Sequence, residues 1–497
     1  MSIFSLELRP LIIISISLIA SFLIFAFGEK ISPNKRESIT IIASVVKIFL
    51  VFSLVKHIVK GENIKFDIFE IAKDIKLSVG VDPIGLIFAS VASVLWLITS
   101  IYSIGYMREH KEKNQTGYYS AFALCLSATM GICFAQNLIT FFIFFELLTI
   151  ATYPLVIHGR DEESKKSGRK YLIYTLVSGQ IFLASIVLIY VNFGTVRFKP
   201  GGFIKLGIIN NYALLSIFLM MIIAGIVKAG VMPFHSWLPK AMVAPTPVSA
   251  LLHAVAVVKA GAFATFRIVY FVFGANVVEK IHGGLILTIL ATVTIILSSL
   301  IAIRKDNLKA RLAFSTIGQL SYIILGIGLL NPVAFVGAVY HIVAHAFMKI
   351  TLFMCTGAIF VMTHKKNISE IVGIGKQMPY TMACFTIAST ALAGFPFFIG
   401  FVSKANIILG AANNGEYVYA VVLLLSALLA ICYLFPVILI AFKKDVYNKD
   451  FVKYDEAKKS MLIPIIITTF VTILLGIYPD FGFKLYTLAE LAANQVF

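Results

Sequence analysis

The chain has 497 residues, 59% hydrophobic and 13% charged, with a formal net charge of +18 and a mean hydropathy of +0.94. A soluble globule of that composition would lack the polar surface to cover its core, which leaves an all-α polytopic membrane protein. The basic excess does not point to nucleic acid, because no basic run is interleaved with aromatics outside the apolar segments; it fits Lys and Arg in cytoplasmic loops.

Apolar windows of spanning length recur along the whole chain. The first, residues 11–27, ends in FAFGEK without a small-residue cleavage pattern and reads as a spanning helix, not a signal peptide. Further spans are predicted over 39–59, 83–107, 118–135, 138–157, 171–193, 212–232, 245–273, 283–303, 312–330 and 332–362. The last three cover 380–412, interrupted at 394–396, then 417–442 and 461–478, which makes about fourteen in all. Loops after odd-numbered spans hold roughly 25 Lys and Arg, against roughly 10 in the other loops and termini. The richest are residues 158–170, 304–311 and 443–459. By the positive-inside rule these loops are cytoplasmic and both termini lie outside, in a multi-pass protein of the cell membrane.

Several ionisable residues fall inside the spans, where a charge costs roughly 2.5–3.5 kcal/mol on insertion scales. Glu146, in FFIFFELLTIATYPL, lies roughly 12 Å from either end of its helix, so it must be neutral or paired with a cation. Lys228 of the seventh span is the candidate cation. It precedes Pro233 by five residues and is flanked by Gly225 and Gly230, so its helix offers free backbone acceptors and room for water. His253 and Lys259 share the eighth span, and six residues of helix set them roughly 120° apart unless the helix is distorted. In the eleventh span, His341, His345 and Lys349 recur every four residues on one face, a spacing that suits a hydrogen-bonded proton relay. Metal binding by His341 and His345 is the competing idea, but there is no HExxH glutamate or third ligand, and Lys349 would repel a cation. Lys404 follows the break at Gly394 and Pro396 in the twelfth span. Interrupted helices five spans apart are the pattern of an inverted repeat with a site at each break.

Asp82 is expected to cap the third helix just outside the core, Asp306 and Lys309 to be loop residues, and Lys47 and His57 to snorkel from the ends of the second helix. Cys125, Cys133, Cys355, Cys384 and Cys432 show no CxxC spacing and read as packing residues, so neither a cofactor nor a metal is expected in the chain itself. Inserted unpaired, Glu146, Lys228, Lys259, Lys349 and Lys404 would cost on the order of 12–17 kcal/mol, which requires a hydrated polar interior.

The segment WLPKAMVAPTPVSALLHAVAVVKAG, with KAGVMPFH upstream, resembles the signature of antiporter-like membrane subunits. These are the large subunits of Mrp-type Na+/H+ antiporters, the pumping subunits of complex I, and their counterparts in membrane-bound hydrogenases. The resemblance runs from DPIGLIF at Asp82 to the break before Lys404. It implies an N-terminal three-helix segment (1–116), two inverted five-helix repeats (117–275 and 276–442) and a final loop and helix (443–497). It also implies that Glu146, Lys228, His253, Lys259, His341, His345, Lys349 and Lys404 form a proton or ion pathway. Protons would enter near His253, rest at Lys228, and pass by Lys259 and the eleventh-span residues to Lys404, with Glu146 as the movable partner of Lys228. Other membrane subunits are the implied partners, joined by a peripheral redox module where the owner is a redox complex. Mrp or hydrogenase-type complexes, a complex I-type quinone-linked pump and a stand-alone secondary transporter all stay open. So does the choice between protons alone and Na+/H+ exchange.

Overall fold

The computed structural model describes residues 5–72, 75–443 and 455–497. Most of the basic loop expected at 443–459 therefore lies outside the described residues. Among the described residues, thirteen helices are long and apolar enough to cross a membrane. A fourteenth crossing is made by two half-length helices, Pro379–Ala393 and Ile399–Asn413.

The helix starts follow from local chemistry. Asp82, Asn137, Asp161, Asn210, Asn307 and Asn331 each accept a hydrogen bond from a backbone N–H of the first turn of spans 3, 5, 6, 7, 10 and 11. Pro33, Pro83, Pro332 and Pro379 occupy first-turn positions where a missing N–H costs nothing. The sixth helix runs Glu162–Phe193, nine residues longer at its start than expected, because Asp161 caps a turn that the charged loop sequence disguised. The second helix begins at Pro33. That start overturns the reading of Lys47, which sits in mid-helix, fully buried, donating to Ser17 Oγ at 2.5 Å with its ammonium 4.6 Å from the Trp96 ring centroid. His57 lies near the helix end and pairs with Glu62 at 2.8 Å.

The spans five apart correspond. Asn137, which caps span 5, forms an isolated antiparallel bridge with Arg197, beyond span 6. Asn307, which caps span 10, bridges Asn367 beyond span 11 in the same way. Spans 7 and 12 are both broken, the first at Gly230 (φ 73°) and the second at Gly394 (φ 98°). An odd offset makes corresponding helices run in opposite directions, which is the inverted arrangement.

Two elements escaped the sequence reading. Ile64–Ala72 and Ile75–Val81 pair as an antiparallel ribbon between spans 2 and 3, and a short amphipathic helix, Leu485–Val496, follows span 14. Cys432 is exposed on the outer surface of its helix and not packed inside, unlike the four buried cysteines. Lys309 is not a loop residue either. It stands in the first turn of span 10, with its ammonium donating to the Ala244 carbonyl at 2.7 Å.

Candidate ion pathway

Lys228 occupies the last turn of Asn211–Ala229, and the helix stops there because Gly230 adopts a left-handed conformation. Its ammonium donates to the Phe145 carbonyl at 2.5 Å, lies 3.3 Å from the Phe145 ring centroid and stands 3.8 Å from Glu146 Oε1. At that separation the two charges attract without a direct hydrogen bond, so a small rotation either closes or opens the pair. Gly179 of span 6 leaves the space for Glu146: a Cβ there would meet the carboxyl carbon at 2.7 Å. Lys228 is fully buried, whereas the Glu146 side chain keeps 13% of its exposure on the flank of the chain.

Spans 7 and 8 touch backbone to backbone beside Lys228. A Cβ at Gly261 would collide with the Ala229 nitrogen, and would sit 2.5 Å from the Gly225 oxygen and 2.8 Å from the Lys228 carbonyl carbon. Backbone atoms cannot swing aside as a side-chain tip can. Gly261→Val is therefore expected to displace span 7 and lower stability by about 1–3 kcal/mol, read as an earlier thermal transition in detergent.

The eighth span is not one regular helix. Thr246–Ala254 ends, Val255 and Ala256 leave helical geometry, and Val257–Phe266 resumes before wider π-type turns over Arg267–Phe273. This distortion changes the relation expected for His253 and Lys259: the lysine ammonium donates to the His253 carbonyl at 3.4 Å. The same ammonium makes a short contact with Nδ1 of His345, which joins the eighth span to the eleventh.

From His345 the polar groups continue. The rings of His345 and His341 are 6.2 Å apart, and His341 Nδ1 hydrogen-bonds Ser403 Oγ at 2.8 Å. Tyr322 stacks on His341 at 5.5 Å, and the Lys404 ammonium lies 4.8 Å from the same phenol ring. Lys404 also donates to the Leu392 carbonyl at 2.5 Å, one of the acceptors that the helix break leaves unbonded. Lys349 belongs to the same helical face but turns to the Leu312 carbonyl of span 10, at 3.1 Å. His341 and His345 thus serve different partners and do not converge on a shared ligand. Among the described residues, the Nε2 atoms of His341 and His345 and both ring nitrogens of His253 are buried without a protein partner. Buried polar atoms in that condition are water-binding positions.

Sequence reasoning passed over Tyr322, Ser403 and Arg267. A phenol and a hydroxyl carry no formal charge to flag them. Arg267 did have a signal, an arginine inside the apolar run FATFRIVYFVF. It is fully buried and pairs with Asp82 at 2.6 Å, so Asp82 both caps its helix and neutralises a charge on span 8.

Residues 135–430, more than half of the chain, match the family model described as NADH:quinone oxidoreductase/Mrp antiporter, TM. The chain belongs to that family. All eight pathway candidates of this NADH:quinone oxidoreductase/Mrp antiporter member lie within the matched residues. It is 27% identical over 485 residues to the N subunit of NADH-quinone oxidoreductase from Desulforudis audaxviator, covering 95% of this chain and 96% of that one. It is 30% identical over 456 residues to the large A-type component of the Na(+)/H(+) antiporter from Alkalihalophilus pseudofirmus, covering 85% of this chain but 55% of that longer protein. Two solved assemblies share the fold. A chain of the Mrp complex from Dietzia sp. DQ12-45-1b superposes with a TM-score of 0.87 at 19% identity, covering 99% of this chain and 98% of that one. A chain of the membrane-bound sulfane sulfur reductase, an archaeal respiratory membrane complex, does so with 0.86 at 24%, covering 98% of each. The family member described here is a multi-pass membrane protein, and its relatives are subunits of multisubunit membrane complexes.

Proposed function

We propose that this chain is an ion-translocating membrane subunit of an energy-converting complex, moving protons along the series Glu146/Lys228, His253, Lys259, His345, His341, Lys349 and Lys404. The observation that carries the reading is the contact of Lys259 with His345, which makes one polar axis of what would otherwise be two separate buried clusters. Tyr322 and Ser403 extend that axis to Lys404. The Glu146–Lys228 separation of 3.8 Å supplies a movable element, because closing the pair holds the ammonium and opening it releases the proton.

Glu146 keeps part of its surface on the flank of the chain, so a neighbouring membrane protein of the complex could act on it directly. The electron-transfer cofactors, where the owner is a redox complex, belong to partner subunits. The basic loops face the cytoplasm and both termini face outward, in the cell membrane. The repeat boundaries at 117–275 and 276–442 enclose the input break and the output break respectively.

Purification of the assembled complex in mild detergent, followed by reconstitution in vesicles, tests the reading. The complex is expected to change internal pH when energised, and the isolated chain to be inactive. Transport by the isolated chain alone would replace the proposal with a secondary transporter. Repeating the assay with and without sodium separates proton transport from Na+/H+ exchange.

A further inference from the structure

A cavity of about 500 Å³ opens at the end of the bundle that carries the basic loops. Its wall holds Glu112, from the loop after span 3, between two histidines. His110 Nδ1 lies 3.0 Å from one carboxylate oxygen and His158 Nε2 lies 3.7 Å from the other. Lys309 enters from span 10 and fastens the Ala244 carbonyl, just before the first half of span 8 begins.

A polar thread leads inward from this wall. His110 stacks on Tyr106 with ring centroids 5.8 Å apart. Tyr106 hydrogen-bonds Thr246. Thr246, Ser249 and His253 follow at intervals of three and four residues, so they share one buried face of Thr246–Ala254. Gly357 of span 11 keeps the passage open, since a Cβ there would meet the Tyr102 hydroxyl and lie 2.9 Å from Thr246 Cβ. The thread ends at His253, whose two ring nitrogens have no protein partner among the described residues.

We propose that Glu112, clasped by His110 and His158, is a proton-collecting site that supplies His253 along Tyr106, Thr246 and Ser249. The inference rests on the proton-translocating reading given above. A proton taken from water by the Glu112–histidine cluster passes by hydroxyl relay to His253 without any change of redox state. The surrounding charges are mixed. Lys365, Lys366 and Lys240 face the cavity with Lys309, opposite Asp161 and Glu163 at the start of span 6. His364 lies 6.3 Å from the His110 ring, and Arg160 acts on His158. Burial holds the His158 ring below the ordinary histidine range, and the Glu112 carboxylate opposes that shift.

Two measurements on the assembled complex test the proposal. In E112Q, the ratio of translocation rates at about pH 8.5 and about pH 6 is expected to fall about tenfold, because capture limits the rate only when protons are scarce. E112D is expected to restore the ratio. An equal loss at both pH values would mark a structural role and overturn the proposal. The second measurement does not depend on transport: histidine nitrogen resonances should show His158 titrating at lower pH in E112Q. An unmoved His158 would overturn the clasp whatever the pumping assay shows. A shifted His158 in a complex that translocates nothing would instead count against the proposed function.

Discussion

Replacing Lys228 with alanine is expected to lower ion translocation by a factor on the order of a hundred or more, the usual contribution of a positioned proton-transfer group. The variant should still assemble, because the break in span 7 is set by Gly230 and not by the lysine. Removing the ammonium takes away the group held by the Phe145 carbonyl and its ring, and leaves Glu146 with no cation at 3.8 Å. E146Q is expected to act more mildly, since Lys228 retains the Phe145 carbonyl as its acceptor. Vesicle assays of both variants, with assembly followed on native gels, decide the matter; full transport by K228A would sink the assignment.

A second large effect is expected in stability. Arg267 is fully buried among the rings of Phe198, Phe263 and Phe271, with centroids 4.6–5.2 Å from its guanidinium carbon. Its ionic partner is Asp82, and its Nη2 also approaches the Cys133 carbonyl at 3.4 Å. Asp82→Asn keeps an oxygen to cap the third helix but strands the guanidinium, and breaking a buried pair in that way costs about 3–5 kcal/mol. Pairing D82N with Arg267→Met removes the stranded charge, so most of the loss should return. The readout is the thermal transition of the detergent-solubilised protein; a double variant as unstable as the single one would refute the electrostatic account.

Much of this was legible beforehand. The fourteen crossings, both breaks and the eight pathway candidates follow from hydropathy, proline and glycine punctuation, and charges that lipid does not tolerate. Other features depend on tertiary structure or on exact helix ends. Taking the second helix from residue 39 put Lys47 near an end; the true start at Pro33 puts it in the middle. The interruption at Val255 and Ala256 has no proline or glycine to announce it, yet it governs how Lys259 lies against His253. Hydropathy windows likewise passed over the ribbon of Ile64–Val81, whose alternation is that of a strand.

The paired breaks at Gly230 and Gly394 have an energetic consequence. Lys228 and Lys404 both sit in mid-crossing, so a proton handed from one to the other travels parallel to the bilayer plane. Moving a charge through the full membrane voltage takes about 2.3 kcal/mol per 100 mV, but a step along the plane meets almost none of it. The electrical work then falls on the vertical approaches to each lysine. Voltage should accordingly retard loading and release while leaving the lateral transfer between the two breaks nearly indifferent to it.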